Sequence, residues 1–212
     1  MTLALAIETL EGVVLAADSR VAVRERGKEV AMDTASKIYQ LSDHVVVTES
    51  GAGDLAKFII SATQRRVRQE GWDGVTNVFV QTRPFIIQLY DDAVSRLTAD
   101  QRPHVGFIFG GMDQDDSAWK PRILSMYSRE GFRPLEATTG MDCTGAVWIA
   151  EYLFGRFYSR RTSLEEACKL ASLLVRETAS QCADVGGPVQ MAIVTSEGFQ
   201  QVEPPEVRLA YR

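Results

Sequence analysis

Thr2 carries two groups that could do chemistry together once Met1 is lost, a hydroxyl and a free α-amine. A threonine hydroxyl is a weak nucleophile and needs a base within hydrogen-bond reach. The α-amine of the same residue supplies one, because its ordinary pKa of about 8 leaves a useful fraction unprotonated near neutral pH. A residue as small as threonine in second place permits removal of the initiator methionine, so no propeptide has to be cut away. Other nucleophile candidates read less well. Ser50 with His44 or His104 lacks the glycine two positions earlier that a nucleophile elbow requires. Cys182 falls at a helix end with no histidine nearby in sequence and reads as a small buried filler. Gly51 and Gly53 are not followed by the Gly-Lys-Ser/Thr of a phosphate loop, and the acidic run Asp113 to Asp116 lacks the glycine and downstream glutamate of a calcium loop. Taken singly, Thr2 is an ordinary terminal residue, Asp18 a turn former at a strand end and Lys37 a solvated strand lysine.

The totals narrow the setting. A chain of 212 residues, 45% hydrophobic and 24% charged, has ordinary globular composition and can bury one sizeable core. A single domain over 1–212 is expected, with 203–212, which carries Pro204-Pro205, as an irregular extension. The formal charge of -5 speaks against a nucleic-acid partner or an acidic membrane surface, since neither polyanion attracts a net anion. Cys143, Cys168 and Cys182 are odd in number and lack the paired close spacing of a metal site, which fits a reducing cytoplasm; no metal and no cofactor is expected. The apolar start, Leu3 to Ile7, has no basic lead and is too short for a signal peptide or membrane helix.

These residues need elements to hold them. Leu3 to Ile7 and Val13 to Ala17 predict a hairpin around Thr9-Leu10-Glu11-Gly12, followed by a charged loop from Arg24 to Glu29. Ser36 to Leu41 and His44 to Thr48 predict a second hairpin around Ser42-Asp43, and Ser50-Gly51-Ala52-Gly53-Asp54 a tight turn. A helix should open with Asp54 as N-cap, bury Leu55, Phe58, Ile59 and Ala62, and stop near Gly71. A second helix is expected from Val78 to Leu97, with Pro84 inside it. Val105 to Gly110 and Ile123 to Tyr127 read as strands joined by the acidic loop. Ala146 to Tyr158 and Ser163 to Gln181 read as helices, the latter with a Ser163/Glu166 capping box. A last hairpin, Val189 to Thr195 and Phe199 to Val202, turns at Ser196-Glu197-Gly198. Each apolar sheet face and helix face must find a partner, and this order satisfies all of them as an α+β fold: a four-layer αββα sandwich of two mostly antiparallel sheets between two helix pairs.

The order of elements and several motifs resemble the proteasome β subunit, within the N-terminal nucleophile hydrolases, in its bacterial or archaeal form. Thr2 followed by Gly12-Val13-Val14-Leu15-Ala16-Ala17-Asp18-Ser19-Arg20 is the strongest piece, and Ser36-Lys37-Ile38 matches the segment with the family's lysine. Ser50-Gly51-Ala52-Gly53-Asp54, Gly106 to Asp113, Glu165-Glu166-Ala167 and Gly186-Gly187 also have counterparts.

The resemblance implies a catalytic triad of Thr2, Asp18 and Lys37. The Lys37 ammonium would favour the neutral α-amine, and Asp18 would pair with Lys37 and orient it. The hydroxyl would attack a peptide carbonyl, and water would release the acyl-enzyme ester. A backbone N–H at Ser50 or Gly51 would hold the oxyanion, with Thr144 at the family's auxiliary serine. The auxiliary aspartate and serine before the last hairpin align with Cys182 and Val185, and Asp184 lies close enough to substitute. Val21, Ala35, Tyr39, Thr48 and Ala52 would line the specificity pocket, with no charge among them, for a small or medium neutral residue. By resemblance the chain would be a threonine peptidase acting on peptides or unfolded proteins in a homo-oligomeric ring, a setting compatible with an ATPase partner. Two other readings stand beside this one: a peptide ligase or amidase using the same nucleophile, and a non-catalytic structural ring subunit.

Overall fold

The structure is a computed structural model that describes residues 2–25, 28–115 and 118–207. In its first half the chain forms β1 (Leu3–Glu8), β2 (Gly12–Ala17), β3 (Val21–Glu25), β4 (Lys28–Met32), β5 (Ile38–Ser42) and β6 (Val45–Gly51), then helices α1 (Gly53–Glu70) and α2 (Val75–Val94). The second half adds β7 (Val105–Asp115), β8 (Ala118–Tyr127), β9 (Leu135–Glu136), β10 (Met141–Gly145), α3 (Val147–Phe157), α4 (Leu164–Gln181), β11 (Gln190–Thr195) and β12 (Gly198–Gln201).

Two five-stranded antiparallel sheets result, ordered β10-β1-β2-β11-β12 and β5-β6-β7-β8-β9. The period-2 alternation of a strand explains how they stack. From β1 and β2, Leu3, Leu5, Ile7, Val14 and Ala16 pack against Leu153 of α3 and Leu174 of α4. The intervening Ala6, Val13 and Leu15 meet Val46, Ile108 and Ile123 of the other sheet. Phe107 and Phe109 of β7 point outward again, onto Ile59 of α1 and Phe79 of α2. Three apolar cores thus separate four layers, as the order of elements predicted. Buried on both faces, β1 and β2 read as near-continuous apolar runs. Gly110 lets the sheets come close: a Cβ there would sit 2.9 Å from Val13 Cγ1.

Several boundaries differ from expectation. The charged loop at Arg24 to Glu29 is largely the β3–β4 hairpin, with residues 26 and 27 outside those described. Ser50 and Gly51 end β6 rather than forming a turn. Ala52 is the N-cap of α1, and Asp54 lies in the first turn, where its charge complements the helix dipole. The buried face of α1 runs through Ala56, Ile59, Ile60, Ala62, Thr63 and Val67, with Leu55 partly buried against the same core and Phe58 left outside. α2 begins and ends earlier than its apolar pattern indicated and continues through Pro84. The acidic run is strand rather than loop as far as Asp115, and Asp113 accepts a hydrogen bond from the Thr76 amide at 2.9 Å; Asp116 lies outside the described residues. β9 and β10 are additions to the expected elements. The capping box of α4 forms as predicted: the Glu166 amide donates to Ser163 Oγ and the Ser163 amide to Glu166 Oε2. The expected extension is without regular structure over 203–207, and 208–212 lie outside the described residues; Val202, expected in the last strand, follows the end of β12. No helix among the described residues is long and apolar enough to cross a membrane.

Candidate active site

The ends of the two sheets bring Thr2, Asp18 and Lys37 together although they are far apart in sequence. Thr2 immediately precedes β1, Asp18 immediately follows its neighbour β2, and their antiparallel pairing sets both at the same end of the sheet. Lys37 enters from just before β5 and is 2% exposed; Asp18 is fully buried. The Lys37 ammonium donates to Thr2 Oγ1 at 2.8 Å, to Asp18 Oδ1 at 2.7 Å and to the Arg20 carbonyl at 2.7 Å. An ammonium has three N–H groups and no lone pair, so these bonds use all its donors, and Thr2 Oγ1 must be the acceptor in its own. The hydroxyl proton of Thr2 is therefore directed elsewhere.

Asp18 is fixed by more than the ion pair. Its Oδ1 accepts the Leu3 amide at 3.1 Å, and its Oδ2 accepts the amides of Arg20 and Gly186, each at 3.1 Å. A carboxylate held by three backbone amides and an ammonium cannot rotate. The backbone of Lys37 is clamped as well: its amide donates to Gln190 Oε1 at 3.0 Å, and its carbonyl accepts the Thr48 hydroxyl at 2.8 Å.

β10 pairs with β1 and supplies the other side of the site. The Thr2 carbonyl accepts the Ala146 amide at 2.8 Å. Gly145 passes so close that a Cβ there would lie 1.7 Å from the Thr2 oxygen, and its φ of +96° is a conformation that glycine tolerates. Across the sheet interface, Ser50 Oγ and Thr144 Oγ1 share a hydrogen bond at 2.7 Å, tying the end of β6 to β10. The Ser50 side chain is 3% exposed and points between the sheets. Gly51 also has φ +96°, which turns the chain toward the cleft at the point where a Cβ would meet the His104 carbonyl at 2.1 Å.

A cleft of about 710 Å³ opens over these groups, lined among others by Thr2, Lys37, Gly51, Thr144 and Gly145. Of the residues expected on a specificity pocket, Val21, Ala35 and Ala52 line it. Thr48 does not: it is fully buried and turned toward the Lys37 carbonyl. Tyr39 is half-buried, packs beside the core under α1, and donates its hydroxyl to the Ser36 carbonyl. The wall also holds charges that the sequence reading left out, namely Arg20, Glu49, Lys57 and Arg129, together with His104. Burial pushes the Glu49 carboxyl up to about 7, against a smaller opposing pull from Lys37 and Lys57. Arg20 is engaged with Asp33 through Nε at 2.8 Å and Nη2 at 3.0 Å. Cys143 on β10 is pushed up to about 12, chiefly by burial, which leaves its thiol protonated and inert. Among the described residues no three His, Cys, Asp or Glu side chains converge to hold a metal ion.

The family model for proteasome subunits matches residues 2–194. The chain belongs to the proteasome subunit family. It is 28% identical over 208 residues to "Proteasome subunit beta 2" of Pyrobaculum islandicum, covering 95% of this chain and 94% of that one. It is 25% identical over 205 residues to "Proteasome subunit beta 1" of Thermococcus kodakarensis (93% and 90% covered). The "Proteasome subunit beta" of Methanobrevibacter smithii is 22% identical over 206 residues (97% and 93%). The fold described above is accordingly that of a proteasome-type N-terminal nucleophile hydrolase.

At the remaining positions carried over from the proteasome resemblance, this subunit is apolar or outward-facing. Val185 is fully buried in the core under α3 and α4, and Cys182 packs against the same core as the C-cap of α4. Asp184 is exposed and is not among the residues lining the cleft. The Gly186-Gly187 pair matters through its backbone, since the Gly186 amide reaches Asp18.

Proposed function

We propose that this proteasome subunit is an N-terminal threonine peptidase whose nucleophile is Thr2, exposed by loss of Met1. The observation that carries the reading is the 2.8 Å bond from the Lys37 ammonium to Thr2 Oγ1, with Lys37 itself anchored on buried Asp18. The positive charge favours the developing alkoxide, and the free α-amine takes the hydroxyl proton as Oγ1 bonds to the peptide carbonyl carbon. The resulting oxyanion accepts the Gly51 N–H. Collapse breaks the C–N bond, the departing amine takes the proton back from the α-ammonium, and an ester to Thr2 remains. Water, deprotonated by the same amine, then attacks the ester and restores the hydroxyl. Peptides or unfolded segments are the substrates that an open cleft of this size admits, and the subunit would work within a ring of like chains.

Intact mass tests this directly. The purified chain should lack Met1 and gain the mass of an epoxyketone or β-lactone peptide mimic, while Thr2→Ala gains nothing. A retained methionine, or an unlabelled Thr2 in a fully assembled ring, would reject the mechanism and favour a structural role, which the apolar Val185 and Cys182 would suit.

A further inference from the structure

Glu49 is the single acidic side chain among the described residues that line the cleft. Its position follows from the pleat of β6. Val45 and Val47 face the core under α1, and Glu49 continues the same row to where the strand emerges from beneath the helix into the cleft. The residue is 3% exposed, and among the described residues its carboxyl group has no hydrogen-bond partner and no ion pair within 4.0 Å. Of the charges around it, Lys37 has already spent its three donors, Asp18 is an anion held by Lys37, and Lys57 of α1 acts only at longer range. Arg20 is committed to Asp33, and Arg129 and His104 line the cleft without a hydrogen bond or ion pair to Glu49. A buried acid with nothing to pair with is costly to ionise until a cation reaches it.

We propose that Glu49 forms a subsite for a cationic side chain, so that the chain prefers substrates with lysine or arginine beside the scissile bond; this rests on the reading of the Thr2 cleft as a peptide-binding site. Approach of a substrate ammonium would replace water around a poorly solvated carboxylate with a charge-assisted hydrogen bond. The opposite selection, of an acidic side chain by Lys57 and Arg129, would set that side chain against Glu49. Because the carboxyl titrates near neutrality, the preference should strengthen from pH 6 to pH 8.

The test separates binding from turnover. Short amidated peptides ending in lysine, norleucine or glutamate are titrated into the full-length Thr2→Ala chain at pH 6 and pH 8. At pH 8 the lysine peptide should bind roughly tenfold or more tightly than the norleucine peptide, the advantage expected of one charge-assisted hydrogen bond. The ratio should shrink at pH 6 and approach one in Thr2→Ala/Glu49→Gln. Equal binding of lysine and norleucine by Thr2→Ala, or tightest binding of glutamate, overturns the subsite without needing the Glu49 variant to fold. An unchanged ratio in a folded double variant overturns it as well. Labelling of Thr2 in the wild type reports separately: a lysine preference without labelling leaves the subsite standing and removes the peptidase reading, and labelling without a preference does the reverse.

Discussion

Lys37 taken alone reads as a solvated strand lysine, yet it is 2% exposed with every donor occupied, which is what a positioned charge requires. The meeting of Lys37 and Asp18 with Thr2 was legible because short motifs carried them. The importance of Glu49 was not, and the reason is the pleat: neighbours in a strand face opposite sides, so a pocket drawn through Thr48 misses the wall made by the next residue. Glu49 also has a consequence for stability. Its pKa rises on folding from 4.5 to about 7, so the folded chain holds the proton more tightly than the unfolded chain. That contribution is fully present below pH 4.5 and is lost as pH climbs through 7. Glu49→Gln should therefore match the wild type near pH 4 and exceed it by about 3 kcal/mol at pH 8, the value of the shift at 1.36 kcal/mol per unit. Denaturant melts at fixed protein concentration across that pH range would check the sign.

The elements around the site differ in how well sequence announced them. β1 and β2 are continuous apolar runs, and α4 carries its capping box in plain view. β10 was hidden, since Met141-Asp142-Cys143-Thr144-Gly145 has no clear alternation and owes its conformation to pairing with β1, far away in sequence. This unannounced strand bears most directly on Thr2. Gly145→Ala should force the chain away from the Thr2 carbonyl, because its Cβ has no room, and should abolish labelling by the electrophile. The added strain of a side chain at positive φ should cost on the order of 1–3 kcal/mol. Labelling that survives Gly145→Ala at the wild-type rate would show that the position of Thr2 is not set by this contact.

For the molecule as a whole, the four layers were legible from the alternation of strand pairs and helix pairs, because only a few architectures cover every apolar face. What covers the outside was less legible. Trp148 and Tyr152, each 65% exposed, lie one turn apart on α3, and Phe157 is 48% exposed at its end. A proteasome subunit working in a ring has a use for such a face. The paired change Trp148→Glu and Tyr152→Glu should shift the assembly toward smaller species in analytical ultracentrifugation while leaving the secondary structure by circular dichroism unchanged. An assembly of unaltered size would place the ring contacts elsewhere.

The three amides that hold Asp18 come from Leu3, Arg20 and Gly186, the last lying 168 residues further along the chain. A polypeptide leaving the ribosome exposes Thr2 long before Gly186-Gly187. The carboxylate that anchors Lys37 lacks one of its backbone clamps until then. The seating of Asp18 thus makes the Lys37 anchor depend on a contact of high sequence separation, complete only once the segment before β11 has folded back onto the end of β2.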